Sequence, residues 1–332
     1  MSTTISPDRI LKELAELWVT TSKEGAGDAA AGVLRACSMT LVVLAEESDD
    51  LQALGETVAA LMPEHPARAI VVKLIGGQER ALSERVYQQC WMPFGQRRQI
   101  CCEQIELTAS DASLEDLPSV VLPLTVPDLP VILWCRTSRI LSMPGFYRIA
   151  AMARKVIVDS YGAADPEAAT LRMSVVSRSG VLLGDLSWTR LTRWREMLSQ
   201  VFENQEYLAR LQNIRKVRVG AEEGLAVAAR LMGVWIRNAL SAAGIQTELE
   251  VTPAAPGGPS LRVELSGEGI GVELVREEDR LVITVNGLSN CTNLSRPTDY
   301  LLMREELAIV RHDPVFDRTL ESAAALVYPS DK

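Results

Sequence analysis

Histidine is scarce in this chain of 332 residues: there are two, His65 and His312. So few imidazoles argue against a zinc hydrolase site or a histidine-based nucleophile triad, both of which need histidine beside specific partners. No GxxxxGK[ST] phosphate loop, GxSxG elbow or CxxC pair is present, so common routes to nucleotide hydrolysis, acyl transfer and dithiol chemistry lack their residues. Positive charge is also short, with 34 Lys+Arg against 43 Asp+Glu and a formal net charge of −9. That balance, with no basic run, argues against a nucleic-acid partner. No apolar run reaches the roughly 18 residues of a membrane-spanning helix. The opening MSTTISPDRILKEL is polar where a secretory signal is cationic and then apolar. The expectation is a cytoplasmic protein with no membrane partner.

What is there is ample apolar material: 47% of residues are hydrophobic, enough for two packed cores in a chain of this length. From Met39 the runs MTLVVLA, RAIVVKLI, QICCEQIEL, PVILWC and KVIVDS read as strands. They are separated by segments that read as helices: SDDLQALGETVAALM, ERALSERVYQQCW, SLEDLPSVVLPL and FYRIAAMAR. This alternation predicts a mostly parallel sheet with helices on both faces, over residues 1–212 with an N-terminal helix from Pro7 to Lys23. Residues 213–332 change character. IRKVRV precedes a long apolar helix ending at Gly244, and TELEV, LRVEL, GVELV and RLVITVN alternate with period two before two closing helices. The expectation is an α+β domain with a mostly antiparallel sheet.

The segment Gly184–Phe202, GDLSWTRLTRWREMLSQVF, carries the most unusual pattern. Read as one helix at about 100° per residue, it places Trp188, Leu191, Trp194, Met197, Leu198, Val201 and Phe202 on one half, with Arg190 and Arg195 inside that half and Arg193 at its border. Structural helices usually keep charge on the opposite face. Arginines among tryptophans therefore point to an anionic ligand, an internal carboxylate or a protein interface, or to stems that snorkel to water. Asp185 or Ser187 is placed to cap the first turn.

Other candidates are weaker. His65 and Arg68, in PEHPAR, sit at the N-terminal end of a strand, whereas ligands of open parallel sheets bind beyond the C-terminal ends. Gly76-Gly77 precedes the segment read as a helix and could meet a phosphate. Trp134, Cys135 and Arg136 end a strand where a ligand or partner surface would form. The spacing Gly25-x-Gly27-x-x-Ala30 imitates a dinucleotide fingerprint but follows a helix instead of a strand, so no cofactor is expected from it. The six cysteines, Cys37, Cys90, Cys101, Cys102, Cys135 and Cys291, have no disulfide-framework spacing and read as buried small hydrophobes.

Taken in order, HPARAIVV, CCEQIEL, LPSVVLPLTVPDLPVILWCR, KVIVDS, GDLSWTRLTRWREML and EELAIVRHDPVFDRTLESA resemble the glucose-6-phosphate dehydrogenase assembly protein family, OpcA. The block DLSWTRL…WR is the most specific piece. The resemblance implies a non-catalytic subunit that binds glucose-6-phosphate dehydrogenase, promotes its active oligomer and raises flux into the oxidative pentose phosphate pathway, with redox control as a role for the cysteines. Tryptophan and arginine are enriched at binding hot spots. The partner- or anion-binding candidates are therefore Trp134, Arg136, Trp188, Arg190, Arg193, Trp194 and Arg195, with His65 and Arg68. The alternative from a different class is a sugar-phosphate-binding enzyme or sensor, similar to a 6-phosphogluconolactonase, using arginines to grip phosphate.

Overall fold

Buried runs of valine, isoleucine and leucine build the first sheet. In the computed structural model, residues 6–24, 34–35, 37–77, 82–91 and 100–327 are described. The chain opens with α1 (Pro7–Glu24), β1 (Leu34–Arg35), β2 (Met39–Glu46), α2 (Leu51–Leu61), β3 (Ala67–Ile75), β4 (Leu82–Trp91) and β5 (Ile100–Ser110). It continues with α3 (Leu117–Leu124), β6 (Val131–Cys135), α4 (Phe146–Ala150) and β7 (Lys155–Val158). The strands follow the order β5-β3-β2-β6-β7, with β8 (Leu182–Asp185) beyond β7, and all pairs in the β5-to-β7 run are parallel. Seven successive residues of β2, Met39 to Ala45, are buried. A strand buried without alternation is covered on both faces, as parallel strands usually are.

Two sequence expectations fail here. The segment ERALSERVYQQCW, read as a helix, contains β4, which pairs antiparallel with β5 from Leu82↔Ala109 to Trp91↔Ile100. Its apolar residues Leu82, Val86, Cys90 and Trp91 recur at helical spacing, but the ten-residue ladder with β5 decides the conformation, as tertiary pairing overrides local periodicity. The next described element after Gly76-Gly77 is therefore a strand, where the sequence reading expects a helix. The Gly25–Ala30 spacing lies outside the described residues.

By contacts the chain falls into two units, one running up to Val158 and recovering Gly180–Gly184, the other made of Asp159–Ser179 and the chain from Asp185 on. Residues 159–179 and 185–212, placed before the break when the sequence is read alone, group with the second unit. That unit holds α5 (Pro166–Arg178), α6 (Leu186–Arg190), α7 (Thr192–Val201) and α8 (Gln205–Ala209). The segment expected to form one helix is thus two, with Leu191 between them. After β9 (Ile214–Ala221) comes α9 (Ala226–Ala242), and then β10 (Glu248–Pro253), β11 (Leu261–Gly267), β12 (Ile270–Glu277), β13 (Arg280–Val285) and β14 (Leu288–Asn293). Two helices, α10 (Asp299–Ala308) and α11 (Pro314–Val327), follow.

The second sheet has the order β10-β9-β11-β12-β13-β14, antiparallel except for the parallel β9–β10 pair. Its alternation is visible in β11, where Leu261, Val263 and Leu265 are buried between more exposed Arg262, Glu264 and Ser266. One face thus meets a core. Helix α9 supplies part of that core, and Gly233 lets it approach closely: a Cβ there would lie 2.7 Å from a Leu249 methyl carbon and 3.3 Å from one of Val219. The β13–β14 turn places Asn286 and Gly287 at φ of 49° and 84°, the type I′ pair that suits a two-residue hairpin.

Candidate functional site

The Trp/Arg segment starts at the end of β8, where Asp185 is fully buried. Its Oδ1 accepts from the backbone N–H of Ser187 and of Ser160, both at 3.1 Å, and its Oδ2 from the Ser160 hydroxyl at 2.8 Å. Asp185 is therefore the cap of α6. Burial, aided by the nearby Asp159 charge, pushes its carboxyl up to about 7, although the three hydrogen bonds pull the other way.

One turn on, each arginine finds its partner inside the second unit. Arg190 makes a two-pronged contact, Nη1 to Asp159 Oδ1 and Nη2 to Asp159 Oδ2, each 2.7 Å. Burial opposes its charge, but Asp159 outweighs that and raises the guanidinium above its ordinary value. Arg195 lies with its guanidinium carbon 3.6 Å from the centre of the Trp188 ring, and donates to the Trp188 carbonyl at 2.8 Å and to Thr192 Oγ1 at 3.2 Å. This stacking on an aromatic face is a cation–π contact. Burial lowers its pKa to about 10. Arg193 is exposed and pairs with Glu196 at 2.9 Å.

The tryptophans belong to the core. Trp188 and Trp194 are each 3% exposed. Trp188 Nε1 donates to Asp313 Oδ2 at 3.1 Å, and its ring centre lies 5.6 Å from that of Phe316. Thr189 adds a bond from its hydroxyl to the buried Glu306 at 2.9 Å. In this conformation neither tryptophan offers a face to a partner. The arginines inside the apolar stripe are explained by an internal carboxylate for Arg190 and an aromatic face for Arg195.

The first unit treats its candidates the same way. The chain leaves β2 to build β3 on one side and later β6 on the other, so the crevice beyond the β2 and β6 C-termini is the topological switch point, where open α/β sheets bind ligands. Here that crevice holds Arg136, whose Nη2 donates to Asp49 Oδ1 at 3.0 Å and whose guanidinium carbon lies 5.2 Å from the Trp134 ring centre. Arg139 beside it reaches Glu46 at 2.6 Å and Asp111 at 3.2 Å, and these carboxylates hold its guanidinium above its ordinary value against burial. At the N-terminus of α2, Asp50 accepts from the N–H groups of Gln52 and Ala53. The place where a phosphate would meet free N–H groups is filled by the chain's own carboxylate.

Trp134 is fully buried. Cys135 is buried too, and burial pushes its thiol well above the usual range, which makes a thiolate unfavourable. His65 is half-buried, at the N-terminal end of β3, its N–H bonded to the Leu61 carbonyl at 2.8 Å. Arg68 is 7% exposed and ends on Glu103 at 2.5 Å and on the Leu124 carbonyl at 2.7 Å. Among the described residues no group of three or more His, Cys, Asp and Glu side chains is placed to hold a metal ion. No helix among them is long and apolar enough to cross a membrane.

Reading the sequence alone misses Asp159, Glu306 and Asp313, the acids that complete the second unit's network. Asp159 lies in the run KVIVDS, directly after the strand β7 and thus where functional or pairing groups gather, a usable signal. Glu306 and Asp313 lie more than a hundred residues from their partners, and no local spacing joins them.

Two family models match in succession, described as the glucose-6-phosphate dehydrogenase subunit N-terminal domain, over residues 58–175, and C-terminal domain, over residues 182–320. Curated relatives include the OxPP cycle protein OpcA of Nostoc punctiforme, 31% identical over 53% of this chain, and that of Synechocystis, 27% identical over 58%. The matched stretches span only 38% and 41% of those relatives' lengths. Among solved structures, biliverdin reductase from Synechocystis aligns over 87% of this chain and 98% of its own at 10% identity and a TM-score of 0.44. An oxidoreductase from Sinorhizobium meliloti aligns over 86% and 95% at 11% identity and a TM-score of 0.46. Likenesses this weak say nothing about activity. The paired, ordered match of both domain models, together with the OpcA relatives, places the chain in the OpcA family of glucose-6-phosphate dehydrogenase assembly proteins.

Proposed function

We propose that this chain is a non-catalytic assembly factor that binds glucose-6-phosphate dehydrogenase, promotes its active oligomer and so activates the oxidative branch of pentose phosphate metabolism in the cytoplasm. The observation that carries this reading is the succession of both subunit-domain models along residues 58–320. The geometry supports it: Arg68, Arg136 and Arg190, the cations a sugar-phosphate enzyme would use, each have an internal carboxylate. A phosphate would have to displace those partners, which costs a charge-assisted bond before any is gained.

Recognition in this reading does not run through the tryptophans. Of the arginine and tryptophan candidates on the segment after β8, Arg193 is the exposed one, and it is the first to test by substitution. The deciding experiment mixes the full chain with the dehydrogenase of the same organism. Co-elution in size exclusion and a rise in dehydrogenase activity in a coupled assay are expected. Separate elution with unchanged activity would overturn the reading, and hydrolysis of 6-phosphogluconolactone by this chain alone would replace it with the enzyme alternative.

A further inference from the structure

The second unit contains a cavity of about 340 Å³ whose wall is largely apolar, built by Leu191, Trp194, Leu261, Leu294 and Leu302 among others. Three arginines line it: Arg190 is paired with Asp159 and Arg193 with Glu196, while Arg276 comes from an unusual position. On β12 the core-facing row runs Ile270, Val272, Leu274, and the next member of that row is Arg276. An arginine there is 17% exposed, and its Nε and Nη2 donate to the carbonyls of Glu278 and Leu294 at 3.0 and 3.2 Å. Carbonyls satisfy its hydrogen bonds without cancelling its charge. The carboxylate that comes within ion-pair reach of it among the described residues, Asp279, is 4.0 Å away and 73% exposed, where water screens it.

Instead of a close acid, a second cation stands nearby. Burial first and the Arg296 charge second push the Arg276 guanidinium below its ordinary value, and Asp279 and Glu222 offset this only in part. Arg296 lies between Ser295 and Pro297, which both line the cavity. The first turn of α7, residues Thr192, Arg193 and Trp194, also borders the space and has no side-chain cap. Two acids line the cavity as well: Glu196 is paired with Arg193 at 2.9 Å, and Glu305 accepts from Thr192 Oγ1 at 2.7 Å, a bond that leaves its charge in place. Two cations beside a concave, largely apolar site, with the ion-pair carboxylate of Arg276 exposed and 4.0 Å away, are stabilised by an anion that enters.

We infer that this cavity is a binding site for a small organic anion, with an apolar body against Trp194, Leu261 and Leu294 and a phosphate or carboxylate head on Arg276 and Arg296. The inference goes beyond the assembly reading and does not depend on it, since ligand binding is measured on this chain alone.

Isothermal titration of the full chain with 1-naphthyl phosphate, 1-naphthoate, 1-naphthol and inorganic phosphate separates head from body. At least one naphthyl anion is expected to bind one-to-one, with naphthol and inorganic phosphate each at least about tenfold weaker, since a charge-assisted bond and apolar burial are both needed. The two anionic arms distinguish a phosphate head from a carboxylate one. Arg276→Met should weaken binding by about tenfold or more. Because Arg276 also ties β12 to Leu294, Arg296→Met, on the exposed neighbour, gives an independent weakening in a fully folded chain. Leu294→Trp, which fills the space, should remove binding. Absence of saturable binding by both anions, equal affinity for naphthol, or binding unchanged in Arg296→Met and Leu294→Trp would overturn the inference.

Discussion

Two arginine-rich places in this molecule are built on opposite electrical plans. At the switch point of the first sheet, Arg136 and Arg139 face Asp49, Glu46 and Asp111, and Asp50 closes the end of α2. In the cavity of the second unit, Arg276 donates to carbonyls and feels the charge of Arg296, and its ion-pair carboxylate, Asp279, is 4.0 Å away and exposed. The position that fold convention marks as a ligand site is thus self-neutralised, while an inconspicuous strand end keeps excess charge. Counting guanidiniums does not distinguish the two places. Counting the carboxylates within reach of each does, and it moves the search for a ligand from the first unit to the second.

If neutralisation is what makes the first unit's arginines structural, removing a partner should cost stability in proportion to burial. The largest loss is expected for Arg68→Met, which strips the guanidinium from the 4%-exposed Glu103. Breaking a buried pair from one side costs about 3–5 kcal/mol, so the denaturation midpoint followed by circular dichroism should drop steeply. Retention of the wild-type midpoint would mean that the Arg68–Glu103 pair adds no net stability to the native state.

In the second unit, Asp159→Asn should cost about 2 kcal/mol by loosening the fork to the partly buried Arg190. Asp185→Asn tests the same network through pH. Its carboxyl ordinarily titrates at 3.8 and in the native chain at about 7, among Asp159, Ser160, Ser187 and Arg190. The native state therefore holds a proton that the unfolded state has released. That contribution to stability is complete below about pH 4 and is lost as pH rises towards 7. Stability measured at pH 5 and pH 8 should therefore favour the Asp185→Asn variant progressively at the higher value, relative to wild type. A pH-independent difference would show that Asp185 is ionised throughout. Smaller still, Asp49→Asn at the half-open crevice should cost about 1 kcal/mol or less. Arg193→Ala, on an exposed pair, should leave stability within about 0.5 kcal/mol of wild type. A loss of dehydrogenase binding by Arg193→Ala at unchanged stability would mark a contact surface.

Much of the architecture was legible because burial leaves a clear trace. Continuous apolar runs such as MTLVVLA and RAIVVKLI announced parallel strands, and period-two alternation in LRVEL and RLVITVN announced the half-buried sheet. β4 is illegible locally, because Leu82, Val86 and Cys90 satisfy a helical period while the deciding contacts come from β5, further along the chain. Helix α5 lacks a strong apolar stripe, and its signals are local: Asp165 caps it, Pro166 opens it, and Gly180 follows with φ of 86°. The hairpin into β14 carried the Asn-Gly pair, but its polar strand LSNCTN has no alternation to confirm it. The site was less legible than the fold. Helical periodicity located the arginines of the segment after β8, yet the groups that decide their role, Asp159 and the Trp188 ring, are set by tertiary packing.

The route of the chain carries a last consequence. It leaves the first unit at Val158, contributes Asp159–Ser179 to the second, returns for Gly180–Gly184 and departs again at Asp185. The strand β8 at the sheet edge is therefore encoded downstream of a helix belonging to the other unit. No single cut separates the two halves cleanly: a gene fragment ending at Val158 lacks that edge strand, and one beginning at Asp159 carries it as an orphan. The two units are written as one interleaved message, and a recombination event or a truncation experiment has to move them together.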